Sequence, residues 1–183
     1  MLRAIYSLLF YLLLPAVVLR VWWRSRREPR YSEDLAQRFG FAPLHSGGEA
    51  PVWVHAVSAG ETIAARELVE RLLLEGHRVI VSNMTPTGRE RAEHLFGRRV
   101  TSVYAPYDMP LMIGRFLTRV CPKALIIIDT ELWPNMIALS RKAGLPVYLV
   151  NGRLSKKSAR GYKRLAILSR PMLGSITHVF AQT

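Results

Sequence analysis

Apolar runs recur along the chain at two different lengths, and the difference between them divides it. The first, AIYSLLFYLLLPAVVLRVWW at 4–23, is apolar except for Ser7 and Arg20. About 20 such residues are enough to cross the hydrocarbon core of a bilayer. Trp22 and Trp23 close the run, and Arg24, Arg26, Arg27 and Arg30 follow it, whereas only Arg3 precedes it. Aromatic residues and cations at one end suit a membrane–water interface, and the positive-inside rule predicts that everything after residue 23 is cytoplasmic. A cleavable signal peptide would carry its charges before the run and a small-residue cleavage site after it, the reverse of this arrangement. Pro15 leaves room for a kink or a shallow insertion.

The later runs are short, and polar amphipathic stretches separate them. VWVHA (52–56), RVIVS (78–82), TSVYA (101–105), ALIIID (124–129), PVYLV (146–150) and THVFA (177–181) read as strands. ALIIID is apolar on both faces, as a central parallel strand should be. Between them ETIAARELVERLLLEG, TGRERAEHLFG, MPLMIGRFLTRV, NMIALSRKAG and the basic SKKSARGYKRLAILSRPMLGS read as helices. Gly76 and Gly144 stand at helix ends, and Asn135 near a start. Strand–helix alternation predicts an α/β fold, a doubly wound, Rossmann-like parallel sheet. The expected organisation is a membrane helix at 1–23, a polar connector at 24–50 containing a short helix closed by Gly40, and the sheet domain at 51–183.

Composition adds a field. The 183 residues carry 26 Lys+Arg against 13 Asp+Glu, a net charge of +13. From Leu132 onward there are nine basic residues and no acid. Such a field favours anionic lipid headgroups or a phosphorylated acceptor. Nucleic acid has only net charge in its favour, since no aromatic array accompanies the cations. The lone Cys121 excludes an internal disulfide.

Doubly wound sheets bind ligands beyond the carboxyl ends of their strands. The first such loop is VSAGE. Ser58 or Glu61 can cap the next helix, Gly60 allows close backbone approach, and Glu61 is either a partner of the helix dipole or a general base. In the second loop Thr85, Thr87 and Arg89 could hold a phosphate or sugar, or simply start a helix. The fourth strand ends in DTELWPN, where Asp129 and Glu131 at spacing two share a side of an extended chain. The fifth leads into NGRLSKKSARGYKR, with Arg153 and Lys156. There is no GxxxxGK[ST] loop, no GxGxxG fingerprint after the first strand and no zinc spacing. The five scattered histidines read as structural.

WVHAVSAGE, MTPTGRERA, YAPYDMP, ELWPN and NGRLSKKSARGYKRL, in this order, resemble the 3-deoxy-D-manno-octulosonic acid (Kdo) transferases of lipopolysaccharide synthesis. The resemblance runs from the apolar N-terminus to residue 183. It implies the N-terminal half of a GT-B glycosyltransferase that transfers Kdo from CMP-Kdo to a hydroxyl of a lipid A precursor. The setting it implies is the cytoplasmic face of the inner membrane, with inversion at the anomeric centre and neither cofactor nor active-site metal. Glu61 matches the family's general base. Asp129 is the second expected catalytic residue, although it stands where the family usually has Glu; Gly152 stands where it commonly has Ala, and Gln37 where an acid is common. Ser58, Gly60, Thr85, Thr87, Arg89, Glu131, Arg153 and Lys156 are expected on the acceptor side. The donor pocket belongs mostly to a second domain beyond Thr183, so this chain alone is expected to be inactive. The rival reading is a non-catalytic membrane-tethered domain that binds anionic lipid or a partner enzyme.

Overall fold

The computed structural model describes residues 2–153, 163 and 166–182. Its centre is a six-stranded, wholly parallel sheet. In chain order the strands are β1 (Val52–His55), β2 (Val79–Asn83), β3 (Thr101–Tyr104), β4 (Ala124–Ile128), β5 (Val147–Gly152) and β6 (His178–Ala181). Their spatial order is β3-β2-β1-β4-β5-β6. All six apolar runs predicted to be strands are therefore strands. The order reverses between β1 and β4, which pair in register from Val52↔Ala124 to His55↔Ile127. That reversal is the topological switch point, where side chains from two crossovers can meet above the sheet.

Alternation along each strand builds two apolar layers. Trp53, Ile80, Leu125, Ile127 and Val147 face α6 (Pro110–Val120), α7 (Pro134–Lys142) and α8 (Ala166–Leu173), where Ile113, Phe116, Met136, Ile137 and Met172 complete the layer. Val52, Val54, Val79, Val81, Ile126 and Ile128 face α4 (Arg66–Leu74) and α5 (Pro86–Phe96), meeting Val69, Ala92 and Phe96. The helix expected over ETIAARELVERLLLEG is in fact two. α3 (Ala59–Ala64) ends at Ala65 and α4 follows at once. The Thr62 hydroxyl donates back to Ser58 O at 2.8 Å while receiving the Asn83 amide at 2.8 Å. Back-bonding of this kind bends a helix.

The connector packs against the sheet domain rather than standing free. A 3₁₀ turn at Pro29–Tyr31 leads to the one-turn α2 (Leu35–Arg38). Gln37 Oε1 accepts the Tyr104 N–H at 2.7 Å, satisfying the end of β3. Arg38, buried, donates to Met84 O and lies over the Tyr104 ring. Gly40 has φ +86, and a Cβ there would sit 2.3 Å from Met112 O, so no side chain fits.

The apolar N-terminus is a single helix, α1 (Leu2–Ser25), continuous through Pro15 and long and apolar enough to cross a membrane. Phe10, Leu14 and Val17 pack on Tyr107, Met109 and Met112, leaving Leu8, Leu9, Leu12, Leu13 and Leu19 exposed. Arg26 stacks over Trp22 at 3.9 Å and Arg27 over Trp23 at 5.1 Å. Polar contacts fix the docking: Ser7 Oγ is 3.0 Å from Asn135 Nδ2, which also donates to Asp108 O at 2.7 Å. The Asp108 carboxylate accepts the Asn135 and Met136 N–H groups at 3.1 and 2.7 Å, satisfying orphan donors at the start of α7.

Burial is the largest influence on Asp108 and raises its pKa from the usual 3.8 to about 6, although the bonds from α7 and Tyr6 pull it down. A raised carboxylate pKa means that the folded state holds the proton more tightly, so this contribution to stability is present below the ordinary pKa and is lost as pH rises through the folded value. In detergent-solubilised protein, the stability of wild type relative to Asp108→Asn should therefore fall between about pH 4 and pH 6 and level off above it. Denaturant titrations across that range measure this difference. A flat difference would show that Asp108 titrates normally.

Candidate active site at the switch point

The loop after β1 sets the first acid. Ser58 is the N-cap of α3. Its hydroxyl donates to Glu61 Oε1 at 2.9 Å and accepts the Glu61 N–H at 3.4 Å, while the Val57 N–H donates to Glu61 Oε2 at 2.7 Å. This is close to a reciprocal capping box, and S-x-x-E was its sequence signature. Both carboxylate oxygens are oriented, and Glu61 is half-buried. Burial raises its pKa, the bonds from Ser58 and Val57 lower it, and the charges of Glu131 and Asp129 raise it again, leaving a net rise. The helix-cap and acid–base readings of Glu61 are thus compatible in one geometry.

The loop after β4 supplies the other two acids. Asp129 adopts φ +61 and Asn151, at the matching end of β5, φ +60. Left-handed backbone at neighbouring strand ends is uncommon outside glycine and tends to cluster at functional sites. The expected extended geometry for residues 129–131 is therefore not found, because the chain turns at Asp129. Thr130 Oγ1 bonds Asp129 Oδ1 at 3.2 Å and also the Arg153 carbonyl. Glu131 Oε2 accepts the Trp133 indole N–H at 3.1 Å. The turn carrying Asp129 and Glu131 adjoins the Glu61 loop through the β1–β4 pairing, close enough for both charges to act on Glu61, and Arg153 is exposed at the end of the adjoining strand.

The second loop takes the form of a capped helix start, the plainer of its two readings. Thr85 caps α5, its Oγ1 accepting the Gly88 N–H at 3.0 Å, and Thr87 is exposed with its hydroxyl 3.3 Å from Thr85 Oγ1. Arg89 is turned toward the connector, paired with Asp34 at 2.6 Å and Glu93 at 3.0 Å. The cation expected to meet a phosphate already meets two carboxylates. Lys156 lies outside the described residues. Gly60 is not the glycine that close approach requires, since a Cβ there meets only Ser58 Oγ at 3.9 Å. Gly88 is: its Cβ would lie 3.0 Å from Thr85 Oγ1, 3.1 Å from Asn83 Nδ2 and 3.2 Å from the Ser58 carbonyl carbon. A glycine in the first turn of a helix has poor propensity, and that was the signal available in the sequence.

Among the described residues no group of His, Cys, Asp and Glu could hold a metal. What the geometry defines is an α/β domain of the doubly wound class with an oriented, partly desolvated carboxylate at its switch point, flanked by two further acids. Residues 33–183 match the family described as 3-deoxy-D-manno-octulosonic-acid transferase (kdotransferase), and the chain belongs to that family. It is 39% identical over 189 residues to the 3-deoxy-D-manno-octulosonic acid transferase of Bordetella pertussis, covering 99% of this chain and 44% of that protein. The enzyme of the same name from Haemophilus influenzae is 35% identical over 98% of this chain and 43% of its own length. That of Chlamydophila psittaci is 32% identical over 82% of this chain and 35% of its own length. The chain thus spans less than half the length of these relatives.

Gly88→Ala should cost about 1–3 kcal/mol of stability and move the Ser58 loop away from α5. Denaturation and the chemical shift of the Ser58 amide check this. An unchanged shift and midpoint would show the contact to be slack.

Proposed function

We propose that this chain is the acceptor-side half of a Kdo transferase. The reaction would move Kdo from CMP-Kdo to a hydroxyl of a lipid A precursor, at the cytoplasmic face of the inner membrane. Glu61 is the proton acceptor. As the acceptor oxygen forms its bond to the anomeric carbon, its proton passes to Glu61. The bond from that carbon to the CMP phosphate oxygen breaks with its electrons on the phosphate, and attack from the opposite face inverts the centre. Burial, reinforced by the charges of Glu131 and Asp129, raises the Glu61 pKa and so favours proton uptake by its carboxylate. Ser58 orients the base, and Arg153 with the basic segment after it meets the acceptor's phosphates. The apolar face of α1, with Trp22, Trp23 and the arginines after them, rests the domain on anionic lipid.

One observation carries this reading: Glu61 is partly desolvated, oriented through both oxygens, and placed at the switch point of a sheet from this family. A purely structural acid is the alternative that the capping box favours.

The two separate cleanly in Glu61→Gln, because glutamine also serves in a capping box but does not accept the proton. The chain would be joined to the C-terminal half of the Bordetella pertussis relative and supplied with CMP-Kdo and a lipid A precursor. Glu61→Gln should cost about 10²–10⁴-fold in transfer rate, with the thermal midpoint nearly unchanged. Transfer at the wild-type rate would leave Glu61 a helix cap only.

A further inference from the structure

The buried end of β1 holds a side chain with no place in the chemistry above. His55 is fully buried, and burial drives its pKa down to about 3, so the ring is neutral. Its Nδ1 lies 2.9 Å from Ser82 Oγ, and the same oxygen receives the Trp53 indole N–H at 2.8 Å. The indole N–H donates to Ser82 Oγ, and the Ser82 hydroxyl and His55 Nδ1 share the second bond, so that one oxygen ties Trp53 and His55 together. The buried Nε2 of His55 has no hydrogen-bond partner.

The His55 ring instead meets Trp133. The two rings stand edge to face, centroids 4.6 Å apart and planes at 70°. Aromatic pairs favour this tilted arrangement, which sets the fully buried His55 ring as a fixed wall against Trp133. Trp133, backed in this way, spends its own indole N–H on Glu131 Oε2 at 3.1 Å. Glu131 sits in the turn that begins at left-handed Asp129, partly open to solvent, where a carboxylate without a donor would be free to swing outward. The groups around Glu61 are then the Ser58 hydroxyl and Val57 N–H as donors and Asp129 and Glu131 as like charges.

We propose that Trp133 is a positioning residue: held from behind by His55, its indole N–H fixes the Glu131 carboxylate in the turn after β4, within electrostatic reach of Glu61 on the adjoining β1 loop. The bland alternative is that Trp133 only fills space against the core beneath α7. The functional meaning of this placement rests on Glu61 being the proton acceptor, but the placement itself is read without any transfer reaction.

The experiment is a ¹³C-carboxylate NMR titration of this chain in detergent, with Glu131→Gln introduced into three backgrounds. They are wild type, Trp133→Phe, and Trp133 replaced by benzothienylalanine, which keeps the ring shape and lacks the N–H. Glu131→Gln should lower the pH at which Glu61 titrates by about 0.5 in the wild-type background, because a like charge is removed. In both altered backgrounds that change should fall below half its size. The benzothienyl protein should keep its thermal midpoint, which answers for Trp133→Phe if the latter folds poorly. An equal change with and without the indole N–H would overturn the proposal. So would a Glu61 titration that ignores Glu131. Loss of transfer in Glu61→Gln is a separate result and stands or falls apart from these.

Discussion

The pairing of β1 with β4 in the middle of the sheet is the constraint on which the site depends. These strands belong to different crossovers, and only their adjacency brings the Glu61 loop against the turn at Asp129–Glu131. A parallel pair buried on both faces is held rigidly, because Trp53, Val54, Leu125 and Ile127 have no other place to put their apolar surface. The carboxylates extend from that rigid edge on short loops. Capping fixes the first loop and left-handed backbone fixes the second, so neither relies on long side chains to find its geometry.

Several contacts outside the cleft keep this edge in place. Gly88 lets α5 rest on the Ser58 backbone, and Asn83 ties Ala56 O to Thr62 across the base of the loop. On the other side Asp108 satisfies the start of α7, and Asn135 carries that contact on to Ser7 of α1. The membrane-type helix is thereby joined to the helix that follows the Glu131 turn.

The six strands were legible in the sequence because fully buried parallel strands are continuous apolar runs, and their ends were read to within about two residues, as such boundaries allow. Ser58 and Thr85 announced their caps by residue type. The strand order could not be read, since periodicity says nothing about which strand lies beside which, and it took that order to show that the Glu61 loop and the Glu131 turn adjoin. Arg89 illustrates the same limit. Its charge was visible in the sequence, but whether it met a ligand or Asp34 depended on a connector whose packing is entirely tertiary. Gly60 and Gly88 are equally flexible on paper, and only the approach of α5 distinguishes them. Asp108, His55 and Trp133 stand inside the quoted motifs, but what each does is set by partners distant in sequence or by burial, which the motifs do not reveal.

The central claim is that the group limiting proton removal from the acceptor is Glu61 in the state observed here. The pH dependence of kcat/KM reports the ionisation of essential groups in the free enzyme. The most direct measurement sets the acid limb of that profile, for this chain joined to the C-terminal half of the Bordetella pertussis relative, beside the NMR titration midpoint of Glu61 in the same protein. If Glu61 is the base, both lie above its ordinary 4.5 and coincide within error. An acid limb that stays a pH unit or more away from the Glu61 midpoint would assign the proton to another residue.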